Sequence, residues 1–314
     1  MKKIGVYNKS LNGLRGDKKL FKALSRICLC RAGESLKNYC TIKIGGRAKF
    51  VCLPKNVKQV RRLIAFLNLK KIKYYVVGNG SNIVFNDDGF SGVIICLKKL
   101  NKVSVRKKGF GKVIALGGAN LFAIHSLCAR LGFGGFEFAY GIPASVGGAL
   151  CMNAGAFGGE MAKVVSRAWV LCGKKIRVFN VSKMGLDYRH SNFLNKKDII
   201  LKVEFKFFKQ SSSKIKQLQQ EYFNKRILSQ PHGMPSAGSV FKRAGEGAGK
   251  IIDKMGLKGV TIGDIQISPK HANFFVNLGN ATSKDLSLAI SLAKKQAYER
   301  EGVCLQEEII FVGD

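Results

Sequence analysis

Hydrophobic residues recur along the chain at two spacings, and each spacing predicts one type of element. Apolar residues three or four positions apart predict helices over 57–67 and 121–131, and Asn56 can cap the first of them. A short apolar run predicts a strand at 74–77, and the glycine-rich turn after it leads into a second strand at 83–85. Further strands are predicted at 41–46, 50–53, 113–116, 168–171, 176–179, 266–267, 273–276 and 308–312, and further helices at 20–27, at 248–255 and from Thr282 onwards.

The middle of the chain contains the clearest predicted strand and a predicted domain boundary. Strict alternation of apolar and polar residues over 199–207 predicts a strand with one buried side and one solvent-facing side. The segment 209–219 is polar and rich in serine, which is typical of a connection between domains. The predicted parts of this α+β protein are a basic N-terminal extension over 1–38, a first domain over 39–208 with subdomains over about 39–100 and 101–208, and a second domain over 209–314.

No charged residue lies between Glu137 and Glu160, although the rest of the chain is rich in charge. Six glycines in the stretch 141–160, together with Pro143 and Asn153, exclude a regular membrane-spanning helix. Glycines beside small polar residues expose main-chain N–H groups, and consecutive N–H groups in tight turns hold phosphate oxygens. This stretch is therefore suited to a dinucleotide cofactor, although plain tight packing of glycines gives the same pattern.

The chain is strongly basic. It has 314 residues, and its 54 Lys and Arg against 19 Asp and Glu give a formal net charge of +35. Such a charge attracts anionic partners, yet the basic residues are spread along the sequence and form no single tail or stripe. A general bias toward lysine explains this composition better than a nucleic-acid site does, and we expect no stable complex with nucleic acid.

Nine cysteines occur without a single CxxC pair. Their odd number and irregular spacing argue against a disulfide framework and against a zinc site, so no metal site is predicted. The first forty residues contain only short apolar runs interrupted by lysine and arginine, which is unlike a secretory signal. These features predict a cytoplasmic protein in a reducing compartment, with no membrane segment.

Three short segments have side chains suited to catalysis. Arg189, in the sequence Tyr-Arg-His-Ser, can bind a carboxylate through two parallel N–H bonds and can stabilise an enolate. Ser239 follows a run of small residues and can give a proton only to a strongly basic acceptor such as a carbanion. Glu307 and Glu308 are among few acidic residues and lie in the predicted last strand, where alternation lets at most one of them face a site. Taken singly, each also fits an ordinary role, as a surface arginine, a turn serine and a strand-edge charge.

Seven motifs occur in the order found in UDP-N-acetylenolpyruvoylglucosamine reductases, also called UDP-N-acetylmuramate dehydrogenases. From about residue 39 to its end the chain resembles this family, and although each motif is weak alone, seven in the same order are specific. The short stretch from 188 to 235 resembles the shorter class of the family, which lacks an additional substrate-covering loop. The motifs are 39–46, 78–82, 141–159, 188–191, 235–242, 270–274 and the closing strand with Glu308.

The resemblance implies an FAD-binding domain of the vanillyl-alcohol-oxidase-like (PCMH) type, made of two α+β subdomains and followed by an α+β substrate-binding domain. It also implies NADPH-dependent reduction of UDP-N-acetylglucosamine enolpyruvate to UDP-N-acetylmuramate, through FAD, in peptidoglycan synthesis. Covalent flavin oxidases of this fold often attach FAD near the first glycine loop through histidine or cysteine. Neither residue occurs in 74–88, which favours non-covalent FAD. The expected partners are this substrate and NADPH, bound by a monomer.

The same resemblance implies roles for residues at matching positions. Arg189 and Glu308 would stabilise the enolate that follows hydride transfer, and Ser239 would protonate the adjacent carbon. The residues expected to contact the substrate are Tyr188, Lys242 and Asn273. The residues expected to hold FAD are Gly78, Asn79, Gly80, Ser81, Asn82, Gly141, Ile142, Pro143, Ser145, Gly147, Gly148, Asn153, Ala154 and Gly155.

Overall fold

The computed structural model describes residues 15–106, 111–194 and 197–314. The chain divides into two compact units, each assembled from separate segments. The first unit takes the chain up to Ala32, then Phe50–Asn79 and Val93–Lys225, and the second takes Gly33–Lys49, Gly80–Gly92 and Arg226–Asp314. Residues 1–14 of the predicted N-terminal extension lie outside the described residues. The predicted domain bounds at 39, 208 and 209 remain predictions.

Helices and strands alternate along the described chain, in agreement with the predicted α+β class. The helices are α1 (Arg15–Ser25), α2 (Val57–Leu69), α3 (Leu121–Leu131), α4 (Val146–Cys151), α5 (Met161–Val164), α6 (Ser212–Ser229), α7 (Ala248–Lys254) and α8 (Ser283–Glu301). The strands are β1 (Leu29–Ser35), β2 (Arg47–Leu53), β3 (Tyr74–Val77), β4 (Ile83–Phe85), β5 (Phe90–Cys96), β6 (Val103–Val105), β7 (Lys112–Leu116), β8 (Phe133–Gly134), β9 (Gly155–Ala156), β10 (Gly159–Glu160), β11 (Val165–Cys172), β12 (Lys175–Asn180), β13 (Ile199–Lys206), β14 (Phe208–Lys209), β15 (Ser236–Ser239), β16 (Thr261–Ile262), β17 (Ile265–Ile267), β18 (Phe274–Asn277) and β19 (Ile310–Val312).

The first unit has two apolar cores, each formed by helices against a sheet. A four-stranded sheet has the order β1-β2-β5-β3, with β3 and β5 parallel, and its core includes Leu24 of α1 and Leu63 of α2. A five-stranded antiparallel sheet has the order β12-β11-β13-β7-β6, and its core includes Ile124 of α3 and Leu150 of α4. The second core places α4, in the middle of the glycine-rich stretch, directly against the sheet.

Helix α2 forms where the apolar spacing predicts it. The Asn56 side chain accepts a hydrogen bond of 2.9 Å from the N–H of Gln59 and so caps the helix, a contact that is worth about 1 kcal/mol. Val60, Leu63, Ile64 and Leu67 are buried on one face of the helix. Cap and apolar stripe therefore agree on where the helix begins and which side packs inward.

The second unit is built on a four-stranded antiparallel sheet in the order β15-β18-β17-β16. Helix α8 begins with a full capping box between Thr282 and Asp285. The Asp87 carboxylate adds a second cap, because it accepts hydrogen bonds from the N–H and hydroxyl groups of Ser283. Strand β19 pairs in parallel with β4, which fixes the end of the chain beside the segment that follows the first glycine loop.

Three predicted elements differ from the structure. Residues 41–46 are irregular and not a strand, and Lys43 has a positive φ of 61° that a strand does not allow. The last strand begins at Ile310, where pairing with β4 starts, so Glu308 precedes it. The serine-rich segment predicted as a boundary enters helix α6 at Ser212.

Strand β13 also departs from the predicted alternation of buried and exposed sides. Glu204, expected on the solvent side, is only 2% exposed. Arg106 on the segment after β6 and Arg167 on β11 donate to its carboxylate at 2.9 and 3.0 Å. These partners come from distant parts of the sequence, and they compensate the burial of the charge.

Candidate active site

Two glycine-rich segments that the sequence predicts as phosphate loops pack against each other in the first unit. Gly78 follows β3 and lies so close to the hydroxyl of Ser145 that a Cβ at residue 78 would collide with it. The side-chain amide of Asn79 donates a hydrogen bond to the carbonyl oxygen of Pro143. The structure thus brings the first part of the 78–82 loop to the start of the 141–160 stretch.

Helix α4 begins inside the second of these segments, and the N–H groups of its first turn are already used. Ser145 caps the helix and accepts a hydrogen bond of 3.3 Å from Gly148. The N–H groups of Val146 and Gly147 donate to main-chain carbonyls before α3, at 2.8 and 2.7 Å. Gly147 and Gly148 therefore shape the loop and do not offer main-chain donors to a ligand.

The loop after β3 has main-chain donors to offer. Among the described residues, no protein acceptor receives a hydrogen bond from the N–H groups of Gly78 and Asn79 in the first unit. In the second unit, the N–H groups of Gly80, Ser81 and Asn82 likewise donate to no acceptor among the described residues. Successive unengaged N–H groups in a tight loop fit the oxygens of a pyrophosphate, which is the charged centre of a dinucleotide such as FAD.

The conformation of Gly80 is held within the second unit. Its φ is +68°, a left-handed value that favours glycine, and a Cβ there would collide with the carbonyl oxygen of Tyr39. The N–H of Thr41 donates a hydrogen bond of 3.0 Å to the Gly80 carbonyl, and the Thr41 hydroxyl donates to the carbonyl of Ser236 at 2.6 Å. Thr41 lies in the motif 39–46, but the sequence alone predicts no role for it, because its hydrogen-bond partners are distant in the chain.

Arg189 lies in a turn of the first unit beside the glycine-rich stretch. Its backbone is left-handed, with φ of 52°, and its Nη2 donates a hydrogen bond of 3.4 Å to the carbonyl of Gly155. The guanidinium carbon is 5.2 Å from the ring centroid of Tyr188, a distance at which cation and ring attract. Tyr188 itself is 49% exposed, so a ligand can reach its ring.

In the second unit, the main chain of Glu308 is hydrogen-bonded to the residue after Ser239 and to the side chain of Asn82. Ser239 ends β15, is half-buried and pairs with Phe274 of β18. The next residue, Val240, accepts a hydrogen bond of 2.7 Å from the N–H of Glu308. The Asn82 side chain donates to the carbonyl of Glu308 at 2.9 Å. A hydroxyl that can give a proton and a carboxylate are thus held on adjacent, paired backbone segments.

Asn273, predicted to contact substrate, has its side-chain amide bound to the protein. It is 7% exposed, accepts from the N–H of Phe241 and donates to the carbonyl of Phe241, both at 2.9 Å. These two hydrogen bonds of the Asn273 amide hold the backbone between Ser239 and Lys242. The N–H of Lys242 donates to the carbonyl of Gln306 at 2.8 Å, and the lysine side chain is half-buried.

Two titratable groups near these residues are held in their neutral forms. Burial raises the pKa of the Cys151 thiol, at the end of α4, to about 11, so the thiol is not a nucleophile near neutral pH. Burial lowers the pKa of His271, and its Nδ1 accepts a hydrogen bond of 3.2 Å from the N–H of Asn273. Neither group is prepared to attack a cofactor or substrate.

Among the described residues, no cluster of three or more His, Cys, Asp or Glu side chains can hold a metal ion. No helix in the described ranges has the length and apolar character needed to cross a bilayer.

Comparison with known families assigns both parts of the chain. Residues 48–174 match the family described as FAD binding domain. Residues 230–312 match the family described as UDP-N-acetylenolpyruvoylglucosamine reductase, C-terminal domain. The predicted FAD-binding protein with a C-terminal α+β domain is confirmed, as is its predicted use of FAD.

Individual proteins are similar over nearly the whole chain. A UDP-N-acetylenolpyruvoylglucosamine reductase of Clostridium kluyveri is 38% identical over 283 residues, which cover 90% of this chain and 92% of the relative. One from Streptococcus pneumoniae strain JJA is 38% identical over 286 residues, covering 90% and 94%. The crystal structure of the Thermus caldophilus reductase (MurB) superposes with a TM-score of 0.76 at 31% identity, covering 89% of this chain and 98% of that one.

Proposed function

Since the chain belongs to the UDP-N-acetylenolpyruvoylglucosamine reductase family, we propose that it reduces UDP-N-acetylglucosamine enolpyruvate to UDP-N-acetylmuramate with NADPH, as a step of peptidoglycan synthesis. The observation that carries this proposal is 38% identity over 90% of the chain, which reaches both matched domains. FAD bound at the 78–82 loop would supply the hydride chemistry between NADPH and the terminal alkene carbon of the substrate. The protein's own residues bind the cofactor and the substrate, orient them, and protonate the substrate.

The loop 78–82 is proposed to hold the FAD pyrophosphate. Its N–H groups at Gly78 and Asn79 in the first unit, and at Gly80, Ser81 and Asn82 in the second, donate to no described protein acceptor. Pro143 and Ser145 contribute by shaping the neighbouring loop through Asn79 and Gly78. No cysteine or histidine belongs to this loop, and the raised pKa of Cys151 disfavours a thiolate link, which supports non-covalent binding.

Arg189 is proposed to stabilise the substrate carboxylate as it becomes an enolate. A guanidinium offers two parallel donors, and these bind more strongly as negative charge moves onto the carboxylate oxygens. Its neighbours Tyr188 and Gly155 hold the guanidinium at the edge of the glycine-rich stretch. The resemblance also motivates the proposal that Glu308 helps to polarise the substrate carboxylate.

Ser239 is proposed to protonate the carbon next to the carboxylate. A serine hydroxyl is a weak acid, and it transfers a proton only because the enolate carbon is strongly basic. Its place at the end of β15, with Val240 bound to Glu308, supports a fixed direction for this transfer. Lys242, three residues further along, is proposed to contact the phosphates of the substrate, since its ammonium is a compact point charge.

Isotopic labelling tests the reaction. The reaction of unlabelled NADPH in D2O should place one deuterium on the carbon next to the carboxylate. A second deuterium on the terminal carbon also fits the reaction, because a hydrogen held on a flavin nitrogen exchanges with solvent. Mass spectrometry of the UDP-sugar reads both positions, and a product without deuterium next to the carboxylate, or no product, would reject the proposed reaction. Size-exclusion chromatography with light scattering checks the further proposal of a monomer.

A further inference from the structure

Asn153 lies in the glycine-rich stretch but has its whole side-chain amide bound to the protein. It is 1% exposed and has a positive φ of 40°. Its Oδ1 accepts a hydrogen bond of 2.9 Å from the N–H of Ala162, and its Nδ2 donates to the carbonyl of Asp187 at 3.0 Å and to Oε2 of Glu160 at 3.2 Å. An amide has two N–H donors, so no donor of Asn153 remains for a cofactor.

The contact with Asp187 reaches the turn that carries Arg189. Two residues before the arginine, the Asp187 carbonyl is held by Asn153. Two residues after it, the hydroxyl of Ser191 donates a hydrogen bond of 2.7 Å to the carbonyl of Cys151. The turn is therefore fastened on both sides of Arg189 to the same short stretch of chain.

Arg189 needs this support because its backbone is in an unfavourable conformation. A φ of 52° is uncommon for a residue with a side chain and persists where the surroundings enforce it. Its Nη2 also reaches the carbonyl of Gly155, two residues beyond Asn153. The position of the guanidinium thus depends on the position of the stretch 151–155.

We propose that Asn153 is a positioning residue for Arg189 and not a ligand of FAD. It couples the turn 187–191 to the glycine-rich stretch, so that the guanidinium has one orientation when substrate arrives. The inference rests on the proposed function, in which Arg189 stabilises the substrate carboxylate. Loss of the coupling would leave the flavin in place and displace the guanidinium, and a displacement near 1 Å can cost about a hundredfold in rate.

Two substitutions at Asn153 separate its hydrogen bonds from its backbone. Asn153→Gly removes the amide and tolerates the positive φ. Asn153→Asp keeps the shape and the acceptor for Ala162, but it places an oxygen against the Asp187 carbonyl and the Glu160 carboxylate. Asn192→Gly is the matched control, because Asn192 is exposed and donates one long hydrogen bond of 3.4 Å from its side chain.

The two half-reactions distinguish positioning from a general structural role. Both Asn153 variants should bind FAD with an unchanged spectrum and be reduced by NADPH at a rate within about twofold of the native rate. Reoxidation of the reduced enzyme by UDP-N-acetylglucosamine enolpyruvate should slow by about tenfold or more. Loss of FAD from a folded variant, or equal slowing of both half-reactions, would overturn the inference.

A double-mutant cycle with Arg189→Ala completes the test. If Asn153 acts through Arg189, Asn153→Gly should slow reoxidation far less in the Arg189→Ala background than in the native protein. Equal effects in the two backgrounds would overturn the inference and leave the role of Arg189 intact. An Arg189→Ala enzyme with native reoxidation would overturn the proposed role of Arg189 and the inference together. If Asn153→Gly fails to fold, Ser191→Ala takes its place in the cycle, because it removes the hydrogen bond from Ser191 to Cys151 on the other side of Arg189. Equal slowing of reoxidation by Ser191→Ala in the two backgrounds would again overturn the inference.

Discussion

The side-chain amide of Asn82 donates a hydrogen bond of 2.9 Å to the main-chain carbonyl of Glu308. The N–H of the same glutamate donates to the carbonyl of Val240, next to Ser239, at 2.7 Å. The backbone of Glu308 is thus held on both its polar groups. These hydrogen bonds hold the backbone that carries the proposed proton donor and the proposed carboxylate, and a backbone held in place before the reaction favours electrostatic stabilisation.

Ser239→Ala should slow only the half-reaction that consumes substrate. Reduction of the flavin by NADPH needs no proton from Ser239, so its rate should be native, whereas reoxidation by the substrate should slow by about 10²- to 10⁴-fold. Stopped-flow absorbance at the flavin maximum measures each step. Ser236→Ala, on the same strand, is the control and should leave both rates native. Equal loss in both half-reactions would remove Ser239 from the proposed role.

Arg189→Lys should be costly although the charge is kept. An ammonium cannot supply two parallel donors to a carboxylate, and loss of one such donor typically costs about a hundredfold in turnover. Arg177→Lys, on the exposed strand β12, should have native kinetics. Steady-state turnover and substrate affinity measure both variants, and a fully active Arg189→Lys enzyme would show that the guanidinium fork is not needed.

Gly78→Ala should weaken FAD binding because its Cβ would collide with Ser145. Overpacking of this kind typically costs about 1 to 3 kcal/mol, and if that cost falls on the FAD-bound state the dissociation constant should rise by about 5- to 150-fold. Ser145→Gly removes the colliding atoms and keeps a residue that is tolerated as a helix cap. The same Gly78→Ala change should therefore cost less FAD affinity in the Ser145→Gly background. Titration of flavin fluorescence measures this, and equal losses in both backgrounds would exclude the collision as the cause.

Glu204 should stabilise the fold mainly above its ordinary pKa. Burial alone raises the pKa of this carboxyl, but hydrogen bonds from Ser166, Arg106 and Arg167 outweigh burial and hold the pKa below its usual value. Because the pKa is lower in the folded state, the stabilisation is complete above the unfolded pKa and is lost as pH falls through the folded pKa. Glu204→Gln should lower the free energy of unfolding by about 2 kcal/mol near neutral pH.

Urea denaturation at neutral and acidic pH measures this contribution. The difference in free energy of unfolding between the native protein and Glu204→Gln should shrink once the pH is lowered below about 4. Glu221→Gln removes an exposed pair with Lys225 on α6 and should change stability little at either pH. If the free energy of unfolding lost in Glu204→Gln does not vary with pH, the pKa of Glu204 is not lowered in the folded protein.

The sequence predicts elements well where local chemistry decides them. Asn56 and the apolar stripe of α2 are neighbours in the sequence, so the cap and the helix can be predicted without knowledge of the fold. Burial of Glu204 cannot be predicted from the sequence, because its partners Arg106 and Arg167 are distant in the chain. The late start of β19 follows in the same way from pairing with Ile83, more than two hundred residues earlier. Long-range partners thus account for these differences.

The sequence predicts which residues form the candidate site, whereas the hydrogen-bond partners of its asparagine side chains are seen only in the folded chain. The resemblance places Asn153 among cofactor ligands and Asn273 among substrate contacts, and asparagine suits both roles. The structure gives the two amides backbone partners, at Asp187 and at Phe241. Only the folded chain shows these partners, since they lie more than thirty residues away along the sequence.

The absorption spectrum of the purified protein under anaerobic conditions tests the proposed flavin reductase activity. We expect an oxidised-flavin spectrum that bleaches on addition of NADPH and returns when UDP-N-acetylglucosamine enolpyruvate is added, with UDP-N-acetylmuramate as product. A protein that binds no FAD after reconstitution, or a reduced flavin that this substrate does not reoxidise, would contradict it.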